Sequence, residues 1–339
     1  MDQYLINNEG LKNLFETLKS KGKKITAPVL RNNKPAFAPV SDYSEIASGF
    51  VQTVNSAKET VFPRTEKVFG YQKKADGMSV QNFNPDDIPE TVLWGIRPCD
   101  AAALGSLDAV FNWDYKDIIF NTRLSKTTVI SFSCATADEN CFCTSVNGGP
   151  GNTAYCDIQL TQLGATEDYL AEILTEKGKA IYDLLPSVFS KTQGVNKTEY
   201  LADVPVKFSH TELSAKLADL FESKHWKEQA MRCLGCGACA YVCPVCSCFD
   251  IQDEVHGKCG ERLRCWDSCG FSLFTLHTSG HNPRDHQSQR WRQRMLHKFS
   301  YMPERLSVYG CTGCGRCSRA CPADINIFEN IISIGEVKQ

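Results

Sequence analysis

Two stretches decide how this chain is read: Cys233-Leu-Gly-Cys-Gly-Ala-Cys-Ala-Tyr-Val-Cys-Pro244 and Cys311-Thr-Gly-Cys-Gly-Arg-Cys-Ser-Arg-Ala-Cys-Pro322. Both set their cysteines at the same intervals, and both follow the last one with proline. Three thiols spaced by three residues wrap a tight loop around one face of a metal–sulfur core. Backbone N–H groups in such a loop can point at the core. The fourth thiol is carried away by an extra residue. Gly235, Gly237, Gly313 and Gly315 remove side chains where the backbone must come close to that core.

The spacing is the run found in bacterial two-cluster ferredoxins, in which the fourth cysteine ligates the other cluster. Carried over, one [4Fe–4S] cluster takes Cys233, Cys236, Cys239 and Cys321. A second takes Cys311, Cys314, Cys317 and Cys243. Structural zinc is the competing reading, but it uses paired C-x₂-C knuckles rather than eight cysteines in two identical runs.

The surrounding composition agrees with metal chemistry. There are 18 cysteines in 339 residues: none over 1–98, five over 99–156, none over 157–232 and thirteen over 233–321. At roughly 100–200 residues per domain the length suggests two or three domains, enough to bury a core without disulfide staples. With 37 basic and 39 acidic side chains, the net charge of −2 excludes a globally basic nucleic-acid binder. The first residues lack the basic and apolar regions of a secretory signal, and no run approaches about 18 apolar residues, so no membrane span is expected. A cytoplasmic location is the expectation, where thiols stay reduced and dense cysteine points to metal or redox work.

The front part reads as α/β. Thr91-Val-Leu-Trp-Gly-Ile96 is a buried strand running into an Ala-rich helix over 101–110, and Thr127-Thr-Val-Ile-Ser-Phe-Ser133 is a second strand ending at Cys134. From Thr166 the pattern turns helical, with Leu170, Ile173 and Leu174 on one face and Gly178 as a C′ stop. Mixed or mostly parallel strands with helices on them are expected. A Pro-containing hinge over 185–209 gives way to a capping box at Ser209-His-Thr-Glu212 and an amphipathic helix bearing Leu213, Leu217, Leu220 and Phe221. The expected division is an α/β domain over 1–205 and an α-helical, bacterial-ferredoxin-type dicluster domain over 206–339.

The two motifs lie unusually far apart, Cys311 coming 68 positions after Cys243. This long insertion, residues 247–308, contains a basic and aromatic stretch over 284–298. It reads either as a docking helix for an acidic partner or as an amphipathic helix with a solvated basic face. Cys259 and Cys265 read as core residues. Cys246, Cys248 and Cys269 flank a cluster loop, where they could adjust its hydrogen bonding or exchange as ligands.

Cys99 and Cys134 each follow a predicted strand. If those strands are parallel, both thiols emerge at one carboxyl edge, where open α/β folds place their sites. Cys141-Phe-Cys143 can fold back over that edge, so Cys99, Cys134, Cys141 and Cys143 form a candidate third cluster, with Cys156 as a reserve ligand. The dipole of the helix after Cys99 favours a thiolate there. Alternatives are a zinc site, an incomplete cluster using Asp100, or inert core cysteines. Asn147-Gly-Gly-Pro-Gly151 reads as a surface turn rather than a phosphate cradle. No Gly-x-Gly-x-x-Gly follows a strand, so neither flavin nor nicotinamide is expected on this chain.

Arg97-Pro-Cys-Asp-Ala-Ala-Ala103, Cys141-Phe-Cys-Thr-Ser145, Cys243-Pro-Val-Cys-Ser-Cys-Phe-Asp250, Arg264-Cys-Trp-Asp-Ser-Cys269, Asn282-Pro-Arg284 and the final Cys-x-x-Cys-Gly-Arg-Cys run occur in one order. With them the chain resembles a family of 4Fe–4S dicluster proteins that holds the sulfhydrogenase beta subunits together with the A-type subunits of anaerobic sulfite reductase. The resemblance covers about residues 90–330 and departs from the pattern at Cys265. It implies a non-catalytic electron-transfer component of an oxidoreductase complex. Such a component stands between a flavin subunit that takes hydride from NAD(P)H and a hydrogenase, sulfite reductase or similar catalytic subunit. The competing expectation is a reductase acting directly on a small substrate at the front cysteines; no His/carboxylate constellation accompanies them.

Overall fold

The computed structural model describes residues 2–337. Strands β1 (Asp2–Asn7), β2 (Lys24–Arg31), β3 (Lys34–Val40), β4 (Thr65–Lys74), β5 (Gly77–Asn82), β6 (Thr91–Ile96), β7 (Thr127–Phe132), β8 (Ile158–Gln162), β9 (Asp168–Ile173), β10 (Ser190–Thr192), β11 (Phe249–His256) and β12 (Cys259–Trp266) build two sheets. The larger runs β10-β1-β9-β8-β7-β6-β2-β3. Its centre, β2-β6-β7-β8, is parallel, and antiparallel pairs close both sides. The central strands are apolar runs because helices cover their faces. Tyr4, Phe15, Val92, Trp94 and Ile130 pack on one side, and Phe62, Leu93, Leu104, Phe120 and Val129 on the other.

The expected helix from Thr166 is instead strand β9. It pairs antiparallel with both β1 and β8, and cross-strand partners for Leu170 and Ala171 outweigh local periodicity. Gly178 lies inside the next helix, Glu176–Tyr182, rather than after one. It is glycine because a Cβ there would stand 2.1 Å from the Asp157 carbonyl oxygen.

The smaller sheet, β11-β12-β4-β5, joins a hairpin of the 247–308 segment to a hairpin near the amino terminus. Glu66 on β4 accepts from Arg264 on β12 and from Arg123 (2.7 Å) on the helix Ile118–Ser125, while Arg264 also reaches Asp117. Cys259 is exposed on this hairpin rather than buried in a core.

The carboxyl-terminal region is helical around its loops. Ser209 caps the helix His210–Asp219 as its sequence implies, accepting from Glu212 N–H at 3.3 Å. Leu213, Leu217, Trp226, Trp291, Phe299, Ile327 and Ile331 form its core together with Phe142 and Val146 from the front part. The helix Gln287–Leu296 continues through a π-helical turn, His297–Tyr301.

Candidate metal centre

Each cysteine motif opens into a one-turn helix, Ala238–Tyr241 after the first and Arg316–Arg319 after the second. Gly235 and Gly237 have φ of +65° and +74°, and Gly313 and Gly315 have +65° and +67°. The two loops therefore share one backbone course. Positive φ on either side of Cys236 and of Cys314 curls each loop back on itself, so that its thiols line one cavity.

Two cavities result. The first is a cleft of about 670 Å³, counting its open mouth, lined by Cys233, Cys236 and Cys239 from one motif and by Cys321 and Cys317 from the other. The second is smaller, about 300 Å³, lined by Cys311, Cys314 and Cys317 and by Cys243 from the first motif. Cys321 thus lines the cavity of the first motif and Cys243 that of the second, while Cys317 lines both. Among the described residues, no three His, Cys, Asp or Glu side chains converge on a point that would hold a single ion. The motif thiols stand around cavities instead, a donor set suited to a core of several atoms.

Buried cations surround these thiols. Lys298 donates to Cys243 Sγ at 3.3 Å and to the Gly310 carbonyl. Arg294 donates to the Cys239 carbonyl at 2.8 Å, while its buried Nε has no partner among the described residues. Gln287 donates to Cys233 Sγ at 3.1 Å. Burial pushes the thiols of Cys239 and Cys314 up, and that of Cys311 to about 11. At Cys243 burial also pushes upward, but Lys298 and Arg294 outweigh it, and the thiol falls below its ordinary value.

The stretch 284–298 therefore shows the reverse of a solvated basic face. Arg290, Arg294 and Lys298 are 8%, 5% and 6% exposed. They recur at every fourth residue beside Trp291, Met295 and Phe299, so a single helix face presents all three inward. That spacing was the available signal for a buried cationic ridge.

The front cysteines emerge where the parallel strands predict. Cys99 begins the helix Pro98–Phe111 after β6, and Cys134 follows the neighbouring parallel strand β7. Cys143 lies close to Cys134 and Cys141, and Cys99 close to Cys134 and to Cys314 of the second motif. Burial raises the Cys99 thiol well above its ordinary value, Asp100 and Cys314 add to the rise, and Arg316 opposes it. Burial pushes Cys143 to about 12. Gln52 donates to Cys99 Sγ at 3.2 Å, and Arg319 approaches Cys141 Sγ at 3.8 Å. Cys156 stands apart, donating weakly to the Ala154 carbonyl at 3.7 Å. Asp100 faces Arg316, which takes both of its carboxylate oxygens, so it is not presented as a ligand.

The second motif packs directly on the front loop. A Cβ at Gly313 would lie 2.4 Å from Cys143 N, and one at Gly315 2.5 Å from the Asn140 carbonyl oxygen. These glycines make room for protein backbone, a reason that sequence reading assigned to the inorganic core. Phe142, between Cys141 and Cys143, lines the second cavity. Neither Gln52 nor Phe142 carried a sequence signal, since both matter only through distant contacts.

The 4Fe–4S dicluster domain family matches residues 232–325, which hold both motifs and the segment between them. Fold and site thus define an iron–sulfur electron-transfer protein. The chain is 30% identical to sulfhydrogenase 2 subunit beta of Pyrococcus furiosus over 342 residues, covering 98% of each chain. It belongs to the sulfhydrogenase beta-subunit family. No solved structure matches it. Among the described residues, no helix is long and apolar enough to cross a membrane.

Proposed function

We propose that this chain is the electron-relay component of a multi-subunit oxidoreductase and does not itself turn over a substrate. Cys233, Cys236, Cys239 and Cys321 hold one [4Fe–4S] cluster, and Cys311, Cys314, Cys317 and Cys243 hold a second. Cys99, Cys134, Cys141 and Cys143 hold a third, in an α/β domain that we end at residue 205. The observation that carries this reading is the exchange of Cys243 and Cys321 between the two cavities. When bound, a thiolate-held cubane supplies one-electron redox chemistry with little change of shape.

The chain's own residues do the rest. Lys298 and Gln287 donate N–H groups to cysteine sulfur, and Arg294 adds a buried positive charge beside Cys239 through its backbone carbonyl, which favours the reduced, more negative state. Phe142 and Cys143 abut Gly313, bringing the front thiols against the second motif. Cys236 is exposed at the mouth of the first cleft, flanked by Leu234 and Met231, 71% and 82% exposed. That mouth supports docking of a partner's carrier there. The partners are a flavin subunit taking hydride from NAD(P)H and a catalytic subunit. The name of the Pyrococcus relative favours a hydrogenase in the catalytic role.

Iron and acid-labile sulfide per chain, measured after preparation without oxygen, test the cofactor part. About twelve irons agree with three cubanes and about eight with the two motif clusters alone. Gentle purification should retain a flavoprotein, and the isolated chain should show no turnover. Reduction of sulfite or a disulfide by the isolated chain with an artificial donor would overturn the relay.

A further inference from the structure

The two motif loops differ in chemistry where they agree in backbone. Gly235 and Gly313 both have φ of +65°, and each is preceded by the residue that directly follows the first cysteine of its loop. That residue is Leu234 in the first loop, 71% exposed at the mouth of the cleft. In the second loop it is Thr312, which lines the smaller cavity together with Cys311, Cys314, Cys317 and Cys243. Its hydroxyl Oγ1 is buried from solvent and has no hydrogen-bond partner among the described residues.

A buried hydroxyl left without a partner costs about 1–3 kcal/mol. Threonine usually avoids that cost by bonding to nearby backbone, and Thr312 does not. The side chains around it offer no oxygen acceptor. Phe142, Pro244 and Ile327 wall the cavity with carbon, and Lys298 is itself a donor, already spent on Cys243 Sγ and the Gly310 carbonyl. The front loop presses on Gly313, the next residue, so the backbone that carries Thr312 is held in place. The acceptors that remain in the cavity are sulfurs. A threonine hydroxyl carries one proton to donate, and ionised sulfur accepts it more strongly than a neutral group does.

We propose that Thr312 donates its hydroxyl to a sulfur of the second [4Fe–4S] centre and raises that centre's reduction potential, a contact for which Leu234 leaves the first centre no counterpart. This deepens the relay reading and rests on the ligation of that centre by Cys311, Cys314, Cys317 and Cys243. Hydrogen bonds to cluster sulfur help set the potential, and a donor favours the more negative, reduced state. No covalent bond changes: the proton stays on Oγ1, and the hydrogen bond strengthens as one electron enters. Thr312 thus acts in the same sense as Lys298, favouring passage of an electron from the exposed cleft to the second centre.

The test is a redox titration of anaerobically prepared full-length chain, followed by electron paramagnetic resonance, with iron counted on the same samples. Thr312→Val keeps the shape of the side chain and removes the donor. At a fixed applied potential it should lower the reduced-to-oxidised ratio of one centre about tenfold, which is about 59 mV for a one-electron couple. The other centres and the iron count should stay as in wild type. Thr312→Ser keeps the donor and should keep the wild-type potential. A serine variant that falls as far as the valine one overturns the proposal, as does a fully loaded valine variant with every potential unchanged. Should the valine variant lose the second centre, Thr312→Ala, which also lacks the donor, is titrated in its place. Loss of that centre from the valine and alanine variants but not from serine supports the contact, and loss from all three overturns it. A wild-type chain without iron would instead sink the ligation itself, so the two failures are told apart.

Discussion

Lys298 donates from its ammonium to Cys243 Sγ at 3.3 Å, and the same lysine has no carboxylate partner among the described residues. On the proposed ligation by Cys243, a buried cation on that sulfur stabilises extra negative charge there and raises the reduction potential of the second centre. Lys298→Met should lower the potential of that centre and leave the one at Cys236 less affected. A redox titration followed by electron paramagnetic resonance separates the two. An unchanged potential in a folded, fully loaded variant would show that Lys298 only fills space.

Gly313 and Gly315 hold left-handed backbone while pressed on the front loop. An L-residue in that conformation costs about 1–2 kcal/mol before any collision is counted. Gly313→Ala must also move Cys143 N and the Phe142 carbonyl carbon, so chemical denaturation should show a loss of at least about 2 kcal/mol. Gly149→Ala, where a Cβ meets nothing within 4 Å, serves as the control and should stay close to wild type.

The eight motif cysteines were legible because a loop of fixed spacing is local information. The parallel edge bearing Cys99 and Cys134 was legible as well, since two apolar strands each end at a cysteine. What escaped depends on partners far along the chain. Strand β9 has a helical rhythm in isolation, and only β1 and β8 on its two sides make it extended. Lys58 lies in an unremarkable Ala-Lys-Glu-Thr run, and its burial depends on Cys246 and Trp266, about two hundred positions away. Gly313 showed that something must come close, but not that protein rather than cofactor comes closest.

Arg316 and Asp100, each 2% exposed, join the second motif to the start of the helix after β6. Arg316 also donates to the Thr53 carbonyl at 2.9 Å and to Gln52 Oε1 at 2.6 Å. Gln52 in turn holds Cys99, so one guanidinium ties three segments together. Breaking a buried pair leaves one charge stranded, at a cost of about 3–5 kcal/mol. Arg316→Gln and Asp100→Asn should each destabilise on that scale. The double variant should recover much of the loss in a denaturant-based mutant cycle; simple additivity would refute the coupling.

Cys156 contributes to the loss of stability at alkaline pH. It is buried behind β7 and β8 and faces Ser131 rather than the other front thiols. Burial pushes its pKa from 9.0 up to about 12. In the unfolded chain the thiol ionises first, so between about pH 9 and 12 the unfolded state holds fewer protons than the folded one. The folded-state pKa is the raised one, so its contribution is fully present below the unfolded value and is lost as pH climbs toward the folded value. The limiting slope for one such group is about 1.4 kcal/mol per pH unit. Cys156→Ala should flatten the urea-unfolding profile between pH 8 and 10 relative to wild type, at unchanged iron content. An identical pH slope would refute this contribution, and iron lost with the thiol would make Cys156 a ligand.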